Sequence, residues 1–192
     1  MKRTYKLLIA SVLFCSCLAG CNNKKSSSSK KSTITFEQWK TIANARPYAP
    51  KSSAVADISV SYHLDNNSDR EIKGKQYFTC IDGDWTLTKN ETGDENINLE
   101  DVVSMTAKIY AEEIDTIING SGSDRFTFKF YKDLSLKMTY NEDSITPGDG
   151  KQKGTLKFDS NGFLSYLDAQ IVSYPQGYMQ VGKYTASIKY SN

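Results

Sequence analysis

Between residues 55 and 64 apolar and polar side chains alternate with hardly a break. Ala56, Ile58, Val60, Tyr62 and Leu64 fall on one face, and Asp57, Ser59, Ser61 and His63 on the other. A period of two with a single apolar face marks a strand buried on one side. The rhythm recurs. Residues 71–81 place Ile72, Phe78 and Cys80 together, Asp82-Gly83 supplies a hairpin turn, and Trp85 and Leu87 alternate with Thr86 and Thr88. Phe126, Phe128 and Phe130 alternate with Thr127 and Lys129; Leu134, Leu136, Met138 and Tyr140 alternate with Ser135, Lys137 and Thr139. Leu156 and Phe158 run into the turn Asp159-Ser160-Asn161-Gly162. Phe163, Leu167, Ala169 and Ile171 then face one way on one strand, and Tyr184, Ala186, Ile188 and Tyr190 on the next.

Two stretches have a helical period instead. Thr35-Phe36-Glu37-Gln38 is a capping box, with Ile34 and Trp39 spaced for a hydrophobic staple. Phe36, Trp39, Ile42 and Ala43 share a face, and Arg46-Pro47 stops the helix. The second stretch predicts one long helix. Asn98 caps it, Glu100 and Asp101 occupy its first turn, and Asn119-Gly120 ends it. Leu99, Val102, Val103, Thr106, Ile109, Tyr110, Ile114, Ile117 and Ile118 form its apolar face. The expectation is an α+β domain over residues 33–192: a single curved, half-barrel-like antiparallel sheet of about seven or eight strands packed on two amphipathic helices.

The first 32 residues follow different rules. Lys2, Arg3 and Lys6 precede an apolar run over residues 7–18, interrupted only by Ser11 and Ser16, and Leu18-Ala19-Gly20-Cys21 follows. A basic start, a short apolar run and small residues describe a secretory leader, and the run is too short for a permanent span. Leu18-Ala19-Gly20-Cys21 resembles the lipobox of bacterial lipoproteins. That resemblance implies cleavage after residue 20, a diacylglyceryl (palmitate-type) anchor on Cys21, and an extracytoplasmic location at the bacterial cell membrane. Residues 22–32, NNKKSSSSKKS, contain nothing apolar and are expected to be a disordered tether. Lys24, Lys25, Lys30 and Lys31 either keep it soluble or touch anionic head groups.

Charge narrows the partners. The first 32 residues hold seven of the 24 basic residues and none of the 22 acidic ones, so residues 33–192 carry 17 against 22, a net of −5. Such a domain is a poor partner for nucleic acid. Of the four cysteines, Cys15 and Cys17 lie in the leader and Cys21 in the lipobox. Cys80 stands alone, which excludes a disulfide within the domain and reads as a small buried hydrophobe.

Catalytic patterns are missing. His63 is the only histidine. A serine with His63 and Asp65 would be needed for a hydrolase, and no Gly-x-Ser-x-Gly elbow accompanies them. One histidine and one free cysteine make no zinc set. The acids at Asp82/Asp84, Glu91/Asp94/Glu95 and Glu142/Asp143/Asp149 lack EF-hand spacing. Gly120-Ser121-Gly122 lacks the rest of a phosphate loop. The expectation is no enzyme, no cofactor and no metal.

Element order, Gly83-Asp84-Trp85 and the Phe158-Asp159-Ser160-Asn161-Gly162-Phe163-Leu164 hairpin resemble the LolA/LppX-like lipoproteins. The resemblance implies an apolar cavity between sheet and helices that takes lipid or acyl chains; a cystatin- or NTF2-like layout is the alternative. Candidate ligand-binding residues are Phe126, Phe128, Phe130, Tyr131 and Tyr166. The twelve tyrosines, Tyr174 and Tyr178 among them, support a second expectation. In it the domain meets another envelope protein, as an adhesin, assembly partner or inhibitor, through exposed aromatics.

Overall fold

The structure is a computed structural model that describes residues 32–64, 69–95, 97–120, 126–141, 151–173 and 180–192. The expected leader, Cys21 and the expected tether as far as Lys31 therefore lie outside the described residues, as do Asp65, Tyr174 and Tyr178. All the contacts below are made within residues 32–192.

Nine strands form one open antiparallel sheet: β1 (Thr33–Ile34), β2 (Ser53–Leu64), β3 (Asp69–Ile81), β4 (Asp84–Asn90), β5 (Phe126–Tyr131), β6 (Leu136–Asn141), β7 (Lys151–Phe158), β8 (Leu164–Ser173) and β9 (Gln180–Ser191). Their order across the sheet is β1-β5-β6-β7-β8-β9-β2-β3-β4. Two runs of neighbouring hairpins, β2–β4 and β5–β9, are thus joined along the single ladder between β9 and β2. That ladder runs from Ser53 opposite Ser191 to Leu64 opposite Gln180.

Alternation fixes which face is buried. Ala54, Ala56, Ile58 and Val60 of β2 and Tyr184, Ala186 and Ile188 of β9 point to the inner face, where helices cover them. The outer face carries their polar neighbours. Helix α1 (Phe36–Asn44) starts with the expected capping box: Thr35 Oγ1 accepts from the Gln38 amide, and Gln38 Oε1 accepts from the Thr35 amide. It buries Trp39 and Ala43 completely.

Among the described residues the strand count is nine rather than seven or eight, and the long helix is broken. Helix α2 (Glu100–Val103) is one turn, and helix α3 (Ala107–Ile118) starts afresh. Between them Thr106 is extended (φ −117°, ψ 159°) and bridges Phe163, while its hydroxyl accepts from the Ile109 amide. The Met105 carbonyl accepts from the Leu164 amide, and the Ala107 amide donates to Gly162. Residues 105–107 therefore dock as a strand on the β7–β8 turn, an alternative use of the backbone groups that a continuous helix would consume.

Leu134 also departs from expectation. It sits in the β5–β6 turn with φ 62°, fully buried, and its carbonyl accepts from Trp39 Nε1 at 3.1 Å. A left-handed leucine is costly, and here the indole of α1 and the surrounding core hold it. At the opposite end of α1, Tyr48 donates to the Ala43 carbonyl and accepts from the Lys108 amide at the start of α3. Its ring lies where a Cβ on Gly162 would stand, 2.7 Å away, so only glycine fits this turn.

Candidate binding site

The phenylalanines of β5 form a ladder on the inner face. Phe130 is buried, with the rings of Phe36 and Trp39 at 5.4 and 5.5 Å. Phe128 stacks on Phe130 at 5.9 Å, and Phe126 on Phe128 at 6.1 Å with rings 9° from parallel. Phe126 and Phe128 are only half-buried. Helix α1 covers the Phe130 end of the row because the capping box starts it immediately after β1, which itself pairs only with Phe130 and Tyr131. Among the described strands, none pairs with the outer backbone edge of residues 126–129. The ladder thus grades from packed core to an apolar surface beside Met138, which is also half-buried.

Tyr131 and Tyr166 do not join it. Strand parity puts Tyr131 on the outer face, one residue out of phase with Phe130, and Tyr166 lies opposite Lys157 and Ser187 on that same outer face. The five candidates therefore cannot line one cavity. Tyr166 sits beneath Lys157 Nζ, 4.5 Å from its ring centroid, and its hydroxyl reaches Asp168. Partial burial first, and then the Asp168 carboxylate, push its phenol above the usual range. Tyr77, with Lys89 above it, lies on β3, four strands away from β8 counting inclusively. The described outer-face tyrosines are thus spread singly and form no aromatic patch.

Sequence reasoning missed a groove of about 560 Å³ at the β3–β4 turn, lined by Pro50, Lys51, Ser52, Cys80, Asp82, Gly83, Trp85, Phe163 and Asn192. Its floor is aromatic: Trp85 meets the Tyr190 ring edge-on at 5.7 Å, and Phe163 meets Tyr190 at 4.9 Å. The Tyr190 hydroxyl faces the carbonyls of Val103 and Leu164 at 3.1 and 3.0 Å, and burial drives its phenol far above the usual range. Lys51 bonds Asn192 across the mouth. Cys80 is half-buried rather than a fully buried core residue. The signal for this groove lay in Trp85 and the Asp82-Gly83 turn, whose alternation gives a face but not its neighbours.

The remaining candidate chemistry gains no geometry. His63 occupies a ladder position between Asp69 and Val181, with its side chain outside the described residues. Among the described residues no three histidine, cysteine or acidic side chains gather into a metal set.

No family model matches this chain, and no curated protein does. Among solved structures, a LolA superfamily protein from Nitrosomonas europaea aligns over 83% of this chain and 94% of its own, at 9% identity and a TM-score of 0.25. A score that low does not establish a shared fold. The class is set by the molecule itself: an open, wholly antiparallel sheet with helices on one face and an apolar ladder at its β5 edge.

Proposed function

We propose that the chain is a membrane-anchored, non-catalytic lipoprotein whose domain binds an apolar ligand of acyl-chain type along Phe126 and Phe128. The observation that carries this reading is the grading of the ladder. Phe130 is locked in the core, and the next two rings present a continuous apolar strip at half exposure. Covering a phenylalanine that water now reaches contributes up to about 1.5–3 kcal/mol. An acyl chain laid along two stacked rings would collect part of that for each.

Native mass spectrometry on protein purified from cells tests it. A released lipid or fatty acyl species that is lost in Phe128→Asp is the expected result; a clean apo mass overturns it. Anchoring is read separately, by partition of the full chain into the detergent phase and its loss in Cys21→Ser. A second reading is favoured by the edge of residues 127–129, which no described strand pairs. A strand from another envelope protein could extend the sheet there, as exposed edges permit.

A further inference from the structure

We propose that the outer face of β5–β7 is a docking surface for anionic lipid head groups. Lys129, Lys137, Lys153 and Lys157 all stand on this face, all exposed, with Thr127, Thr139 and Thr155 between them. Among the described residues none of the four has a carboxylate partner. Farther across the sheet three lysines of the same face are paired, and Lys189 stands alone among the described residues: Lys75 meets Asp57 at 3.5 Å, Lys73 meets Glu71 at 2.7 Å, and Lys183 meets Asp168 at 3.7 Å. Lys129 and Lys137 are paired directly across the β5–β6 ladder, an arrangement that is unfavourable unless an anion lies over it. Residues 33–192 carry a net of −5, so the patch is a local concentration of charge and not general basicity.

Position identifies the partner. Residue 33 opens β1, and β1 is the immediate neighbour of β5. With strands about 4.8 Å apart, β7 lies only about 15 Å from β1. Resting on the Cys21 anchor of the preceding section, this geometry tethers the lysine-bearing edge, and not the largely paired one, to the bilayer. The eleven residues from 22 to 32 extend to at most about 40 Å. A long polyanion following the sheet would run onto Asp168, Asp57 and Glu71. A bilayer held at the β1 edge meets the lysines first.

The test uses the chain beginning at Asn22, which keeps every described contact and has no acylation site, so its outcome does not depend on anchoring. Sedimentation with phosphatidylcholine vesicles containing about one third phosphatidylglycerol, at low salt, measures partition. Each lysine near an anionic surface is worth roughly a fivefold gain. Replacing all four by glutamine should lower partition roughly a hundredfold or more, with Lys→Arg at the same positions restoring it. Lys73→Gln, Lys75→Gln and Lys183→Gln together should cost less than tenfold, and added salt should erase the difference. Four outcomes overturn the proposal: unchanged partition in the glutamine variant, no recovery with arginine, an equal loss in the control variant, or equally tight binding to duplex DNA. If Cys21→Ser leaves detergent partition unchanged while the vesicle result stands, the anchor reading fails and the docking surface remains.

Discussion

The two runs of hairpins that make this sheet share a backbone plan and differ on both surfaces. In β2–β4 with β9 most outer-face lysines are paired with acids, Lys189 excepted, and the inner face is closed by chain. Gln76, fully buried at an inner-face position, donates to the Ile97 carbonyl and accepts from the Leu99 amide. Gly74 beside it leaves room for the backbone of Glu91 and Thr92, which a Cβ would meet at 2.5 and 2.6 Å. Residues 91–95 and 97–99 are thus fastened across the sheet. In β5–β7 the outer lysines Lys129, Lys137, Lys153 and Lys157 meet no carboxylate among the described residues, and the inner face grades from a buried Phe130 to half-buried Phe128 and Phe126. Paired charges on most of one face and a closed chain on the other make the first half the more self-contained. The other half carries lysines without a carboxylate among the described residues and two half-buried rings, the surfaces on which both proposals rest.

The sharpest way to break the contrast is Trp39→Ala. It empties a fully buried indole, strands the Leu134 carbonyl and frees Phe130, and should cost about 3–5 kcal/mol in equilibrium urea unfolding. Gln76→Leu tests the closed half: the buried Leu99 amide loses its acceptor and the Ile97 carbonyl keeps only the longer bond from Asn90 Nδ2, at about 2 kcal/mol. Its amide exchange should quicken first over residues 91–99. Alkali offers a third test. Burial holds the phenols of Tyr110 and Tyr190 neutral in the fold, while the unfolded chain releases those protons near pH 10. The folded pKa is the higher one, so their contribution is whole below pH 10 and lost above it. Stability should fall by about 1.4 kcal/mol per pH unit for each tyrosine, and Tyr190→Phe should halve that slope. Phe128→Ala should cost only about 1 kcal/mol, because its ring is half outside the core, while abolishing capture of an apolar ligand. Smallest of all, Lys129→Gln should stabilise by a few tenths of a kcal/mol by relieving Lys137, whereas Lys75→Gln should cost about as little or nothing.

Much of this was legible in the chain, for a physical reason: the face a strand residue takes follows from parity alone. Ala56, Ile58 and Val60, the capping box at Thr35 and the turn at Asp82-Gly83 announce themselves. The same parity separates Tyr131 from Phe126, Phe128 and Phe130. Other features have no local signature. Gln76 looks like an interruption of an apolar face until the chain around Ile97 arrives to use its amide. Leu164 and Leu167 share the inner face only because a bulge opposite Lys157/Phe158 absorbs one residue. Thr106 fits a helical face as well as it fits a cap, and only the β7–β8 turn decides between them. Period two also assigns no neighbours, so the placement of β9 beside β2 was hidden.

That placement has a consequence in time. β9 is the latest-made of the nine strands, yet it lies between β8 and β2, near the middle of the sheet. The β2–β4 run can fold as local hairpins while the chain is still emerging, but its β2 edge stays bare until some 120 further residues have followed. Contacts of such long range close slowly. A chain interrupted before Gln180 would display two raw strand edges at once, those of β2 and β8.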